Sequence, residues 1–105
     1  MRSEVAEMTV RERTFDPLAT ALSAIANASR TPAPRDDVRR MLQTGDGDSS
    51  HLRALFGDVD LHTLNRLAAE FAIDDRTLAR SYARARREVA AANSELDEFA
   101  AQFDL

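Results

Sequence analysis

The fold is decided by residues 75–105, which read DRTLARSYARARREVAAANSELDEFAAQFDL. Apolar side chains recur here with alternating spacings of four and three, and we call these positions the seam: Leu78, Tyr82, Ala85, Val89, Ala92, Leu96, Phe99 and Phe103. A period of 3.5 residues is typical of a coiled coil, and the stretch contains neither Gly nor Pro. The pattern predicts one long C-terminal helix over residues 75–103.

The predicted length of this helix bears on what covers the seam. At 1.5 Å per residue it would be about 43 Å long, more than a compact chain of 105 residues conveniently covers. We therefore expect part of the seam to contact a second copy in a homodimer, and small Ala85 and Ala92 opposite larger residues favour an antiparallel pair. The alternative is that the seam packs against the N-terminal helices of its own chain.

Charge is distributed unevenly along the same stretch. Residues 75–88 carry five arginines and two acids, a net charge of +3, whereas residues 89–105 carry four acids and no base, a net charge of −4. A helix dipole favours the opposite order. The basic half is therefore expected to meet either an anion such as phosphate or the acidic half of a second copy.

The rest of the chain also indicates helices. Each of four predicted helices opens at a capping residue or a proline: Asp16-Pro17, Pro34, Ser49 or Ser50, and Asp60. Each carries an apolar stripe: Leu18, Leu22 and Ile25; Val38, Met41 and Leu42; Leu52, Leu55 and Phe56; Leu61, Leu64, Leu67, Ala68 and Phe71. No stretch alternates as a strand does. The sequence predicts a single all-α domain over residues 1–105, a small bundle of five or six helices in which residues 1–15 form a short helix or an arm.

Composition sets the class of protein. Hydrophobic residues make up 44% and charged residues 30%, which is globular composition, and the absence of Cys excludes disulfides. No apolar run approaches the roughly 20 residues that span a bilayer. We therefore expect a cytoplasmic protein with no membrane contact. All fourteen basic residues are Arg, which we interpret as the codon bias of a GC-rich bacterial or phage genome.

Residues 64–82, LNRLAAEFAIDDRTLARSY, carry a more specific pattern. Ala68 allows two helices to cross closely, while Phe71, Ile73 and Leu78 fill the space between them. This segment resembles a bacterial helix-turn-helix DNA-binding motif. It departs from the motif in three places. Ala72 replaces the usual Gly at the turn, and Ser81 stands where an apolar anchor is expected, so Tyr82 takes that role. Asp74 and Asp75 would enter the groove first, and their carboxylates repel phosphates.

The resemblance implies that the second helix contacts DNA. Arginines spaced four, four and three apart form one face of that helix away from the seam: Arg76, Arg80, Arg84 and Arg87. Guanidinium groups can contact bases or phosphates from such a face. The alternative is that these arginines form an ordinary solvated surface.

No catalytic constellation is present in the sequence. There is no phosphate-binding loop, dinucleotide fingerprint or nucleophile elbow, and Asp46, Asp48 and Ser50 lack the glycine and the final acid of a calcium loop. We therefore expect no cofactor and no metal. The sequence predicts a non-enzymatic regulator that dimerises through its C-terminal helix and binds DNA. The alternative is a helical adaptor or inhibitor of another protein, anchored by Leu96, Phe99, Phe103 and Leu105.

Overall fold

The computed structural model describes residues 15–89 and 92–105, which contain six helices and no strand. In chain order they are α1 (Pro17–Ser29), α2 (Arg35–Thr44), α3 (Ser49–Asp58), α4 (Leu61–Glu70), α5 (Asp75–Glu88) and α6 (Ser94–Ala101). The all-α prediction is confirmed for the described residues. The predicted arm lies outside them, except for Phe15.

Side-chain caps begin several of these helices. Asp16 and Asp60 each accept a hydrogen bond from a backbone N–H in the first turn of the helix that follows, as expected. The third helix begins earlier than predicted, because Asp48 rather than Ser49 or Ser50 is the cap and accepts from the Ser50 N–H at 2.9 Å. A carboxylate at this position also interacts favourably with the positive end of the helix dipole, which a hydroxyl does not.

The helices pack around one apolar core. α1 packs on α3 and α4, α2 packs along α5, and α6 folds back against α5. The predicted stripes supply most of the buried side chains: Ile25, Val38, Met41, Leu42, Leu52, Leu55, Phe56, Leu64, Leu67 and Ala68. Partly buried apolar side chains pack around them, namely Leu18, Leu22, Leu61 and Phe71. The predicted inward faces of these four helices are confirmed.

A glycine sets the distance between α2 and α5. Gly45 ends α2 with φ of 76°, and its N–H donates to the Met41 carbonyl at 2.9 Å. A Cβ at this position would collide with the Ser81 carbonyl oxygen of α5. The left-handed backbone and the close approach both require glycine here. The loop after α2 is thereby fixed against the middle of α5.

The long C-terminal helix predicted over residues 75–103 is not present. α5 ends at Glu88, Val89 has extended backbone with φ of −130° and ψ of 153°, and α6 begins only at Ser94. A straight continuation would carry Phe99 about 16 Å beyond Glu88. Folding back buries Leu96 and Phe99 in the core, and burying each such side chain stabilises the fold by about 1.5–3 kcal/mol.

Asn93 fixes the position of this break. Its side-chain oxygen accepts from the Leu96 N–H at 3.3 Å and caps α6. Its side-chain NH₂ donates to the carbonyls of Phe56 at 2.9 Å and Val59 at 3.2 Å, at the end of α3. One amide therefore satisfies both a helix start and a helix end, which a continuous helix through residue 93 could not do.

The seam consequently packs inside one chain. Six of its positions are buried: Leu78, Tyr82, Ala85, Val89, Leu96 and Phe99. Phe103 is half-buried and Ala92 is exposed. This is the alternative that the sequence left open, and the four-three spacing persists because α5 and α6 each need one apolar stripe. Six of the eight seam positions predicted as a dimer interface are thus covered by the chain's own core in this fold.

Candidate functional site

The segment that resembles a helix-turn-helix motif comprises α4, a short connection and the first half of α5. α4 ends in a Schellman motif, in which the Ile73 N–H donates to the Ala68 carbonyl at 2.8 Å and the Ala72 N–H donates to the Ala69 carbonyl at 3.1 Å. Ala72 has φ of 58°, so it occupies the left-handed position where glycine is usual. Of the residues expected between the helices, Ala68, Ile73 and Leu78 are buried, and Phe71 is partly buried against the core.

The anchor of the second helix follows the sequence interpretation. Tyr82 is buried between the helices, and its ring lies 5.8 Å from the ring of Phe56. Ser81 is also buried, and its backbone carbonyl lies against the loop at Gly45. The side of α5 opposite these residues faces solvent.

That solvent side carries the four predicted arginines, and we call Arg76, Arg80, Arg84 and Arg87 the arginine face. All four are exposed. The first and the last are separated by eleven residues, or about 17 Å along the helix axis. The structure therefore brings the predicted DNA-contacting residues together on one accessible side of α5.

Neighbouring groups hold part of this face. Arg84 forms an ion pair with Asp46 at 3.2 Å, and Arg76 lies over the ring of Phe103 with its guanidinium carbon 5.9 Å from the ring centroid. Among the described residues, no carboxylate lies within ion-pair distance of Arg80 or Arg87. Two guanidinium groups are thus oriented by contacts, and Arg80 and Arg87 have neither an ion pair nor an aromatic contact among the described residues.

Two of the four acids at the end of the chain are engaged within the molecule. Asp97 bonds the Tyr82 hydroxyl at 2.5 Å and forms an ion pair with Arg86. Glu95 accepts from the Leu61 N–H at 3.3 Å, at the start of α4. The contrast between the basic and acidic halves is therefore satisfied in part between α5 and α6, which weakens the case for a second copy as the missing charge partner.

The Tyr82 hydroxyl reports on the α5–α6 contact. Burial and the hydrogen bond to Asp97 raise the pKa of Tyr82 to about 12, because both disfavour a second negative charge beside the carboxylate.

At the start of α5, the hydrogen bond from Thr77 lowers the pKa of Asp74, and Arg80 lowers it further. Asp74 is therefore anionic at neutral pH at the edge of the arginine face.

The apolar anchors of the alternative adaptor are mostly buried. Leu96 and Phe99 lie in the core, and the Phe103 ring packs edge-on against Phe99 with centroids 5.5 Å apart. Leu105 is 51% exposed. An adaptor that uses this set of anchors would have to detach α6 from its own core.

The histidines do not form a site. His51 is buried and its Nε2 lies 3.0 Å from the Thr31 carbonyl oxygen, whereas His62 stacks on Phe15. Within the described ranges, no group of three His, Cys, Asp or Glu side chains is placed to hold a metal ion. No helix in those ranges has both the length and the apolar character that crossing a bilayer requires.

Sequence reasoning missed two contributors to this region. Asn93, which breaks the long helix, was signalled by the Asn-Ser pair at residues 93–94, a common helix start. The role of Asp97 as partner of Arg86 and Tyr82 has no local signal, because it depends on the fold-back of α6.

Comparisons with protein-family models, curated proteins and solved structures find no match to this chain.

Proposed function

We propose that the protein is a small non-enzymatic regulator that binds duplex DNA through the arginine face of α5. The observation that carries the proposal is the row of four exposed arginines on one helix side, three of which have no ionic partner among the described residues. Arginine binds phosphate in a bidentate manner and reads guanine in the major groove. The resemblance of residues 64–82 to a helix-turn-helix motif supports the same interpretation.

The dimensions of the face suit a duplex. Arg76 and Arg87 are separated by about 17 Å, whereas a major groove is about 12 Å wide. With α5 across the groove, these end residues reach the flanking phosphates, and Arg80 and Arg84 lie over the base edges. The face has no exposed aromatic side chain, which single-strand binders use as a stacking platform. Duplex is therefore the favoured form of nucleic acid.

The protein-binding adaptor is the second candidate, and the geometry supports it less. Three of its four anchors pack in or against the core of the same chain, so binding would have to displace intramolecular contacts. A dimer built on the seam meets the same obstacle. The DNA proposal needs neither rearrangement, because the arginine face is already exposed.

A matched pair of triple variants tests the proposal. In the first, Arg80, Arg84 and Arg87 become Gln; in the second, Arg39, Arg40 and Arg53, which are exposed on α2 and α3, become Gln. Both variants lose three positive charges, so they have the same net charge. Binding to a fluorescent duplex is measured by anisotropy over a salt series that starts at about 50 mM.

We expect only the α5 variant to bind more weakly, and the slope of log affinity against log salt to flatten by about 0.9 for each phosphate contact that is lost. If both variants weaken binding equally, the effect is one of net charge and the arginine face is not the binding surface. If the parent protein does not bind duplex at all, the DNA proposal is abandoned.

A further inference from the structure

Two adjoining depressions lie beside the arginine face, where the residues after α6 meet α5. The first is lined by Arg80, Ala83, Arg84, Arg87 and Leu105 and has a volume of about 280 Å³. The second, also of about 280 Å³, shares Ala83, Arg87 and Leu105 and continues toward Ala100 of α6. Leu105 lines both depressions, and half of its surface is exposed.

The first depression has the chemistry of an anion site. Three guanidinium groups line it, and no carboxylate side chain belongs to its wall. The ion pair with Asp46 holds Arg84, so part of the site is oriented before a ligand arrives. A phosphate or carboxylate group placed here would gain charge-assisted hydrogen bonds from more than one arginine.

The second depression has a mixed wall, in which Ala83, Ala100 and Leu105 form an apolar strip beside polar side chains. Its one carboxylate side chain, Asp97, already pairs with Arg86 and accepts from the Tyr82 hydroxyl, so the charge of that side chain is compensated. Ala100 and Leu105 supply apolar wall on either side of this polar cluster. A ligand chain that lies here would cover the exposed part of Leu105, which is favourable because apolar surface leaves water.

We propose that the two depressions together bind one small amphipathic anion, with a phosphate or carboxylate among Arg80, Arg84 and Arg87 and a short apolar chain along Leu105 toward Ala100. The site is additional to duplex binding and does not depend on it. Because both ligands use the same arginines, the small anion excludes the duplex from the arginine face.

The test uses a series of three probes: hexyl phosphate, inorganic phosphate and 1-hexanol. Binding to the intact chain is followed by amide chemical shifts in NMR spectra. Hexyl phosphate is expected to bind at least tenfold more tightly than inorganic phosphate, since burial of two CH₂ groups already accounts for that factor. 1-Hexanol, which lacks the anionic group, is expected to bind more weakly than either phosphate. Equal binding of both phosphates, or no binding of hexyl phosphate, overturns the proposal.

Variants locate the two ends of the ligand. Arg80→Gln should weaken hexyl phosphate binding about tenfold, because one charged hydrogen-bond donor is lost. Leu105→Ser should remove the advantage of hexyl phosphate over inorganic phosphate and leave phosphate binding itself unchanged. Arg53→Gln, an exposed arginine of α3, is the matched control and should change neither. A result in which Arg53→Gln weakens binding as much as Arg80→Gln contradicts the assigned site.

Two further measurements separate this inference from its neighbours. Sedimentation with vesicles that contain phosphatidylglycerol tests a lipid headgroup as the source of the anion. We expect no vesicle binding that depends on Arg80, so the parent protein and the Arg80→Gln variant should sediment equally. Arginine-dependent sedimentation without binding of soluble hexyl phosphate would overturn the proposal. Leu105→Ser should leave duplex binding intact, so a failure of the DNA proposal and a failure of the small-anion site give different patterns.

Discussion

At the scale of single residues, a few positions determine where the chain turns. Ala72 adopts φ of 58° at the end of α4, and Gly45 adopts φ of 76° at the end of α2. The two positions differ in what surrounds them, since only at Gly45 would an added Cβ collide with another helix. An L-residue in the left-handed region costs about 1–2 kcal/mol, so Ala72 carries strain that glycine would relieve.

Ala72→Gly is expected to raise the free energy of unfolding. The relief of left-handed strain exceeds the entropy that glycine adds to the unfolded chain, which is about 0.5–1 kcal/mol, and the net gain is up to about 1 kcal/mol. Ala69→Gly, an exposed residue of the same helix, is the control and should lower stability by about 0.5–1 kcal/mol. Urea denaturation measures both. A loss of stability in the first variant contradicts the assigned backbone conformation.

Asn93 offers a second prediction at this scale. Asn93→Ser keeps an oxygen that can cap α6 but loses the two donors to the carbonyls of Phe56 and Val59, and should cost about 1–2 kcal/mol. Asn93→Asp keeps the cap and sets a carboxylate against the same two carbonyl oxygens, and should cost about 2–4 kcal/mol. Unfolding in urea ranks the two variants. If Asp is tolerated better than Ser, Asn93 acts only as a helix cap.

At the scale of helices, α5 and α6 are held together by both apolar and polar contacts. Leu96 and Phe99 bury their side chains in the core, while Tyr82 and Arg86 of α5 meet Asp97 of α6. The half-exposed ion pair between Arg86 and Asp97 contributes little by itself, since such pairs are worth about 0–1 kcal/mol. The hydrogen bond from the Tyr82 hydroxyl to Asp97 is therefore the main polar contact between α5 and α6.

The pH dependence of stability follows from Tyr82. Its pKa in the folded chain is about 12, above the ordinary value near 10. A raised pKa means that the neutral form is favoured on folding, so this contribution is complete below pH 10 and is lost as the pH rises from 10 through about 12. Because Tyr82 is the only tyrosine in the chain, ultraviolet titration of tyrosinate reports its pKa directly.

The denatured chain in urea provides the control for that titration and should titrate near the ordinary tyrosine value. Tyr82→Phe should remove the fall in stability between pH 10 and 12. A folded-state titration that coincides with the denatured one would show that Tyr82 lies in contact with solvent, contrary to the packing of α5 on α6.

At the scale of the whole molecule, most large apolar side chains are buried within one chain. The exposed large apolar side chains among the described residues are Phe15 and Leu105. Stable protein interfaces bury about 800 Å² on each partner, more than two such side chains supply. The acids that a second copy would need opposite the arginine face are also partly engaged inside the fold, at Glu95 and Asp97.

We therefore expect the protein to be monomeric at about 100 μM, a concentration at which an interface of standard size would be filled. Sedimentation velocity measures the mass. As a contrasting variant, truncation after Ala92 removes Leu96 and Phe99 from the core and should sharply lower stability, at about 1.5–3 kcal/mol for each side chain. A dimeric parent whose mass falls on truncation, with its helices retained, would restore the seam as an interface between copies.

The local sequence determined the helical class, the caps at Asp16 and Asp60, and the inward stripes of the first four helices, because these features depend on neighbours a few residues apart. It also determined that Arg76, Arg80, Arg84 and Arg87 share one helix side, which follows from their spacing alone. A regular four-three pattern over residues 78–103, however, describes one long helix or two short ones equally well. Periodicity records which side of each helix is apolar and not whether the backbone is continuous.

Only the tertiary structure decided between those two possibilities. Burial of Leu96 and Phe99 against the chain's own core, together with the two carbonyls at the end of α3 that Asn93 satisfies, favours the broken form. These partners are more than thirty residues away in the sequence, so no local pattern contains them. The same fold-back places Asp97 on Arg86 and Leu105 beside Arg80, and the candidate small-anion site is a product of that long-range contact.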